Sequence, residues 1–365
     1  MANYLTTDTE LTSVADAIRA KGGTSAQLTY PTEFVSAIQA IPTGGGSDEL
    51  AKRLIDGLST DTADFAVPGG TRQIRPYAFA YTSFGDITIP SSCTAISEYG
   101  FAYYKGKGKI TIPSTVTTFY TVGMGSYFSN IGYASSFPDG YANKAEIEIN
   151  SDIPASAVKV AQNSHLKSFS IPATMTALGD DFFNSAKIYT APDLSHITSF
   201  GNNCCSSMNV GSGNIINGFP AGTTKIGGSA FYNNGGNPVF DEIPATLESA
   251  VGDRAFYGCV SIGPVLKIKC PGIGTSSTCL TFRGCTGLRY VWISADCTTI
   301  SNTSANNAPF NVCDSSIQVY CEAASRPSGW TKYWNYLTSS SQIDMNGKWG
   351  ITEEQFDEIV ANAGL

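Results

Sequence analysis

Covalent chemistry needs acids, bases and nucleophiles at workable spacings, and this chain offers few places to look. Histidine occurs twice, as His165 and His196, and neither has a second ligand at the spacing of a His-Glu-x-x-His zinc helix. Each reads as a lone side chain, solvated or hydrogen-bonded. The adjacent carboxylates Asp180-Asp181 and Glu353-Glu354 could divide acid and base roles only inside a cleft that pushed their pKa values apart. On an open surface such pairs are simply solvated. No Gly-x-Ser-x-Gly nucleophile elbow occurs, and Gly106-Lys107-Gly108-Lys109 lacks the spacing of a phosphate-binding loop and reads as a turn. Asp344-Met345-Asn346-Gly347 opens like a calcium loop, but Lys348, Trp349 and Gln355 stand where oxygen ligands and a glycine belong. The ten cysteines include no Cys-x-x-Cys pair. Three of them, Cys259, Cys285 and Cys313, each follow a phenylalanine by three residues (Phe256, Phe282, Phe310), which predicts small, buried, reduced side chains stacked on one another. The expectation is a chain with no catalytic set, no metal and no cofactor.

Recognition is the chemistry that remains. Tyr offers a flat apolar face with a polar edge, suited to stacking on a sugar ring or anchoring a protein contact. The candidate ligand-binding residues are Tyr81, Tyr103 and Tyr104, together with Tyr120, Tyr127, Tyr133, Phe137 and Tyr141 in an insertion at about 117–146. Long loops on a rigid scaffold are where binding sites sit. The competing expectation is that half of these aromatics fill the irregular core that an insertion of this length must bury. Trp330, Tyr333 and Trp334 form a further cluster, read as a cap over the end of the array, with a carbohydrate site as the alternative.

The elements that must position these residues repeat. Ile87, Ile89 and Pro90 close one phrase, and Ile110, Ile112 and Pro113 close the next, 23 residues on. Phe79 and Phe101 mark the same two units 22 residues apart. A period in the low twenties means stacked units, each too small to bury its own apolar face. The phrase starts at Phe65, Val67 and Pro68 and continues through Ile147-x-Ile149 and Phe169-x-Ile171-Pro172. It then runs through Ala191-Pro192, Phe219-Pro220, Ile243-Pro244, Leu266-x-Ile268, Val291-x-Ile293 and Ile317-x-Val319. Phe183, Phe231, Phe256, Phe282 and Phe310 keep the phenylalanine in step. Alternating apolar residues before Pro read as a short strand with one buried face, ended where no further ladder donor is needed. The fold class predicted is mainly β with short helices, a solenoid over 47–321 flanked by helical segments at 1–46 and 322–365. The last segment ends in a helix with Ile351, Phe356, Ile359 and Val360 on one face and Thr352-Glu353-Glu354-Gln355 as its start.

Composition agrees with an array. Charged residues are 14 % and Gly numbers 37, the signature of a turn-rich, weakly charged surface. The net charge of −8 argues against a nucleic-acid partner, and no apolar run is long enough to insert in a membrane. Residues 1–9 lack a basic-then-apolar leader pattern, so export by the general secretory route is not expected.

The phrases Ile226…Ala230-Phe231, Arg254-Ala255-Phe256-Tyr257-Gly258-Cys259 and Phe282-Arg283-Gly284-Cys285 resemble the BspA-like leucine-rich repeat, an Ile-x-Ile-Pro strand followed by Ile-Gly-x-x-Ala-Phe-x-x-Cys. The resemblance implies a curved solenoid used for adhesion and surface recognition rather than catalysis. The stretch 119–145 and the unit around Cys204-Cys205 depart from the pattern, so irregular coils are expected there.

Residues 4–42 form two short amphipathic helical patterns, the first opened by Thr7 and Glu10 and ended by Gly22-Gly23, the second opened by Tyr30-Pro31. Tyr4-Leu5-Thr6-Thr7-Asp8, Lys21-Gly22-Gly23-Thr24 and Tyr30-Pro31…Phe34…Ala37-Ile38 resemble a module of tail- and baseplate-associated proteins in phages and prophages of Gram-positive gut bacteria. Thr43-Gly44-Gly45-Gly46-Ser47 reads as a linker. This resemblance implies a tail or fibre protein of a virion, made in the host cytoplasm. It would attach to other virion proteins through residues 1–46, meet a host-surface glycan or protein with its array, and assemble as a homo-oligomer, a trimer being usual in such fibres. A bacterial surface or lysis-released adhesin of the same type, at the cell surface, is the alternative. A glycan hydrolase built on a solenoid is a third reading.

Overall fold

The computed structural model describes residues 63–80, 82–120, 127–131, 144–234 and 238–365. The helical patterns of residues 1–46 lie outside the described residues, as do Tyr81, Tyr133, Phe137 and Tyr141. The described residues wind as short strands and turns into a solenoid of about nine turns, with one short α-helix among them.

Most turns of the solenoid contribute a strand to each of two walls; the coil after Glu146–Ile149 gives the second wall no strand, and the coil after Glu242–Ile243 gives it only a bridge at Val251. In the first wall Phe65–Ala66, Ile87–Thr88, Lys109–Ile112, Glu146–Ile149 and Ser168–Ser170 lie side by side and parallel. Phe65, Ile87, Ile110, Ile147 and Phe169 share one register. Each stands three residues before the residue that closes the repeated phrase, a proline in four copies and Asn150 in one, and all five are buried. The wall continues as His165–Leu166, Lys187–Thr190 and Asn209–Ser212, and ends as Glu242–Ile243, Val265–Ile268, Tyr290–Ile293 and Gln318–Cys321. In that last group Val319 pairs with Val291 and Cys321 with Ile293, so the final phrase sits one alternation later than Ile317 and Val319. The side-chain period of two keeps the same face inward despite the shift. After the strand, the carbonyl of Pro90 accepts from the Cys93 amide and that of Pro113 from the Val116 amide, at 2.9 and 3.0 Å. Proline thus opens a tight turn, and the fourth residue of the turn points back into the core.

The second wall runs Gln73–Ile74, Ala95–Ser97 and Thr118–Tyr120, then Ala177–Leu178, Ser199–Phe200 and Lys225–Ile226, then Gly272–Ile273, Thr299–Ile300 and Gly329–Trp330. Beyond it comes the turn that carries the phenylalanine. In the unit around Phe183, the amides of Asp181, Phe183 and Ser185 donate to carbonyls of the next coil at 2.6–2.8 Å, while those of Asn184 and Ala186 close turns within their own coil. Sending alternate amides outward requires left-handed backbone two residues before and two after the phenylalanine. Tyr99 and Tyr103 (φ 61° and 60°) flank Phe101 in this way, and Asp181 and Ser185 (56° and 58°) flank Phe183. Around Phe256 the second of these positions is Gly258 (φ 74°).

The amide ladder fixes which residues are equivalent. It links Phe79, Phe101, Phe128, Ala161, Phe183, Cys205, Phe231, Phe256 and Phe282, each donating to the residue before the next member, at 2.6–3.1 Å. Phe128, counted in sequence with the insertion, is therefore a repeat phenylalanine. Cys205 also stands in register, so the coil around Cys204-Cys205 is regular, not distorted. The rings of Phe79 and Phe101 stack at 4.9 Å, those of Phe231 and Phe256 at 5.6 Å, and those of Phe256 and Phe282 at 5.5 Å. Where Ala161 and Cys205 leave space, Phe169, Phe182 and Phe200 supply the rings. The expected insertion is also narrower than its sequence suggests. Thr118–Tyr120 pairs with Ala95–Ser97, and 127–131 belongs to the phenylalanine turn.

A file of glycines sets the spacing between coils. A Cβ on Gly201 would meet the Gly179 backbone at 2.7 Å, and one on Gly227 would meet the Gly201 backbone at the same distance. At the C-terminal end Trp330, Trp334 and Trp349 pack together, with centroids 4.7–6.1 Å apart, against the last coil. The helix Glu353–Asn362, opened by a capping box between Thr352 and Gln355, lies on the outer face of the first wall, where Phe356 and Val360 cover Trp292. No helix among the described residues is long and apolar enough to cross a membrane.

Candidate recognition surface

The structure separates the candidate tyrosines by where the coil places them. Tyr104 is fully buried, its hydroxyl donating to the Phe84 carbonyl, and burial pushes its pKa far above the usual phenol range. Tyr127 is also fully buried, edge-on to Phe119 at 5.3 Å, because it precedes Phe128 in the inward-facing slot that Phe182 fills before Phe183. Both belong to the core and face no ligand. Tyr103 and Tyr120 are exposed, at 38 % and 50 %.

Among the aromatics not named from the sequence, Tyr77 and Tyr189 are exposed, and Tyr99 is half-buried beside Tyr77. Tyr77 is 55 % exposed, and its ring lies parallel to that of Tyr99, with 5.1 Å between centroids and 3° between planes. Both occupy the left-handed position two residues before a repeat phenylalanine, which turns the side chain out of the core. The signal was present: a tyrosine at the same offset from Phe79 and from Phe101. Tyr120 lies one coil further on, its carbonyl accepting from the Glu98 amide beside Tyr99. Tyr77 and Tyr99 therefore form a stacked pair on successive coils, and Tyr120 is exposed on the next coil, in register with Ser97. A second stacked pair lies further along, where Tyr232 stacks on Tyr257 at 4.8 Å and the Arg283 guanidinium sits 5.4 Å from the Tyr257 ring.

The residues weighed for covalent chemistry hold the coils together. Asp180 accepts from the Asn202 amide at 2.7 Å, and Asn202 in turn accepts from the Gly228 amide at 2.8 Å. Asp181 holds the side chain of its own-coil neighbour Asn184 at 2.7 Å. Glu353 pairs with Lys267 and Lys269 at 2.9 and 2.8 Å. His165 is buried in a strand rather than solvated in a loop, and its pKa falls to about 4 because burial, with Lys187 and Lys144 adding to it, disfavours the charged ring. All ten cysteines are free and buried. The thiols of Cys259, Cys285 and Cys313 donate to the carbonyls of Phe231, Phe256 and Phe282 one coil back, at 3.0, 3.1 and 3.2 Å. Asn234 does the same for Cys205 at 2.7 Å. Burial raises the Cys259 and Cys313 thiols to about 12 and those of Cys270 and Cys279 to about 11, so none is a nucleophile at neutral pH. No group of three or more His, Cys, Asp or Glu among the described residues could hold a metal ion. Trp330 and Trp334 are buried, and the Trp330 indole donates to the Cys297 carbonyl at 2.7 Å, so neither ring is presented to a sugar.

What this arrangement offers is a rigid surface with stacked aromatic pairs. No curated protein and no solved structure matches the chain. The profile of the BspA type Leucine rich repeat region does match, in six copies over residues 72–133, 121–237 and 218–313. Repeats of this type suggest a role in surface adhesion or recognition. With well over half of its length matched, and with the repeated phrase recurring coil after coil in the structure, the chain belongs to the BspA-type leucine-rich repeat family.

Proposed function

We propose that this protein is a virion tail component that recognises a host-cell surface by binding, without turnover. The observation that carries the reading is the stacked pair Tyr77–Tyr99 with Tyr120 on the next coil. Two exposed aromatic faces, Tyr77 and Tyr120, and the half-buried Tyr99 are held on consecutive coils by hydrogen-bonded backbone packed on the core. A scaffold of this kind presents contact area already ordered, which removes much of the entropic cost of binding. The family supports adhesion or recognition. The attachment role of residues 1–46 rests on their resemblance to phage tail modules, and several copies on one particle would raise weak affinity through effective concentration. A cell-surface adhesin would use the same array without a virion. Virion fractions separated by density gradient and probed for this chain distinguish the two.

The full chain should bind Gram-positive gut bacteria saturably, and a Tyr77→Ala, Tyr99→Ala double variant should bind at least tenfold more weakly with its melting temperature kept. Absence of binding to every cell tested would contradict recognition. So would glycan hydrolysis that a single carboxylate substitution abolishes, which would favour the enzymatic reading.

A further inference from the structure

The first wall breaks once, and the break makes a cleft. Strand Asn209–Ser212 ends at Gly213 (φ 80°), the chain swings out through Asn214, and Ile215 and Ile216 bring it back to the core. Ile216–Asn217 then pairs with Pro238–Val239 rather than with the preceding coil, and Gly218 (φ 79°) turns the chain toward Phe219 and Pro220. The preceding coil is shorter and has only Ala191-Pro192-Asp193-Leu194-Ser195 at this level. The mismatch leaves a cleft of about 350 Å³ between the two coils. That lies within the range of small-molecule sites, about 300–1,000 Å³.

The lining is mixed in a particular way. Pro192 and Phe219 give apolar surface, and the Phe219 ring is held by Phe200, Phe231 and Phe240 behind it. Asn214 donates to the Asn217 side-chain carbonyl at 2.7 Å. That bond orders both carboxamides and leaves one with an acceptor and the other with a donor at the rim. The Asp193 carboxylate is exposed and held by the Ser195 amide at 2.9 Å. The Ser195 hydrogen bonds, first the side chain and then the backbone, with His196 adding to them, lower its pKa against the opposing effect of burial. A carboxylate here repels anionic ligands. A fixed donor and two acceptors over an apolar floor match vicinal hydroxyls, which donate and accept at once.

We propose that the cleft between the coils of Pro192 and Phe219 binds one ring or two of a neutral glycan, through Asp193, Asn214 and Asn217. The proposal rests on the surface-recognition reading and names its ligand class. The test is saturation-transfer difference NMR on the full chain with the methyl glycosides of glucose, galactose, mannose, N-acetylglucosamine and N-acetylgalactosamine. At least one glycoside should show transfer, and Asn217→Ala and Asp193→Ala should each weaken its binding tenfold or more with no change in melting temperature. Both side chains are exposed, so folding is not at stake. Transfer from none of the glycosides, or equal binding by Asn217→Ala, would overturn the assignment. Cell binding separates the two levels. If Asn217→Ala holds cells as well as the parent chain does, the cleft falls and recognition stands. A glycoside response from a chain that binds no cells upholds the cleft and overturns the surface reading.

Discussion

Cys259, Cys285 and Cys313 show what one residue contributes to this fold. The carbonyls of Phe256 and Phe282 already accept an amide from three residues on, and the thiol of the following coil reaches the second lone pair; the Cys259 thiol reaches the Phe231 carbonyl in the same way. The role needs a small, mostly apolar side chain with one donor, so Asn234 can replace cysteine in one coil and Ser164, donating to Phe128, in another. Buried, all ten thiols should resist iodoacetamide in the native protein and react in guanidinium, which intact mass before and after unfolding would count. Labelling of several thiols in the native state would contradict the burial. Phe256 is fully buried between the rings of Phe231 and Phe282, so Phe256→Ala should cost about 3–5 kcal/mol in denaturant unfolding. His165 makes a prediction in pH. Its pKa in the folded chain, about 4, lies below the value of about 6.5 for an unfolded histidine, so the unfolded state takes up the proton first. Stability should therefore be full above about pH 6.5 and fall as the pH drops toward 4. Melting temperatures of the parent chain and His165→Gln across that window should show a shallower slope in the variant.

At the scale of elements, the repeated phrase was legible because strand, proline turn and phenylalanine recur in a fixed order, and each follows from local sterics. The register Phe65, Ile87, Ile110, Ile147, Phe169 could be read directly from the spacing. What could not be read was substitution within that order. Ala161 and Cys205 stand where phenylalanine is expected, and only the coil-to-coil amide ladder shows them equivalent. The tyrosines were misjudged for a related reason. Tyr104 and Tyr127 differ from Tyr77 and Tyr99 in offset from the phenylalanine rather than in composition, and the offset decides whether a ring turns inward or outward. The cleft near Asn214 escaped because it arises from the difference in length between two neighbouring coils, a property of no single segment. The C-terminal helix was legible from its capping box, but its docking was not. It is held across the first wall by Lys267 and Lys269, which meet Glu353 and Asp357 at 2.7–2.9 Å. The Lys269 hydrogen bond, with Lys267 adding to it, holds the Glu353 carboxyl below its ordinary pKa. That contribution is present above about pH 4.3 and lost as acid protonates the carboxylate. Because the carboxylate is more than a third exposed, the contribution amounts to less than about 1 kcal/mol. Glu353→Gln should lower the melting temperature slightly at pH 7, and the gap should close below about pH 4.

The whole molecule depends on continuity. Units of this length cannot fold alone, and the interior runs from Phe65 to Trp334 as one apolar cluster. Rings stack along it, thiols and amides tie each coil to the one before, and the glycine file lets the backbones approach. That continuity fixes Tyr77, Tyr99 and Tyr120 relative to one another and holds the cleft open between unequal coils. Native-state hydrogen exchange read by mass spectrometry tests it most directly. Peptides containing the amides of Phe101, Phe183, Phe231 and Phe282 should be strongly protected and should exchange together, in one opening, as denaturant rises. Fast, independent exchange at these positions in the absence of denaturant would contradict a shared core and the rigid recognition surface built on it.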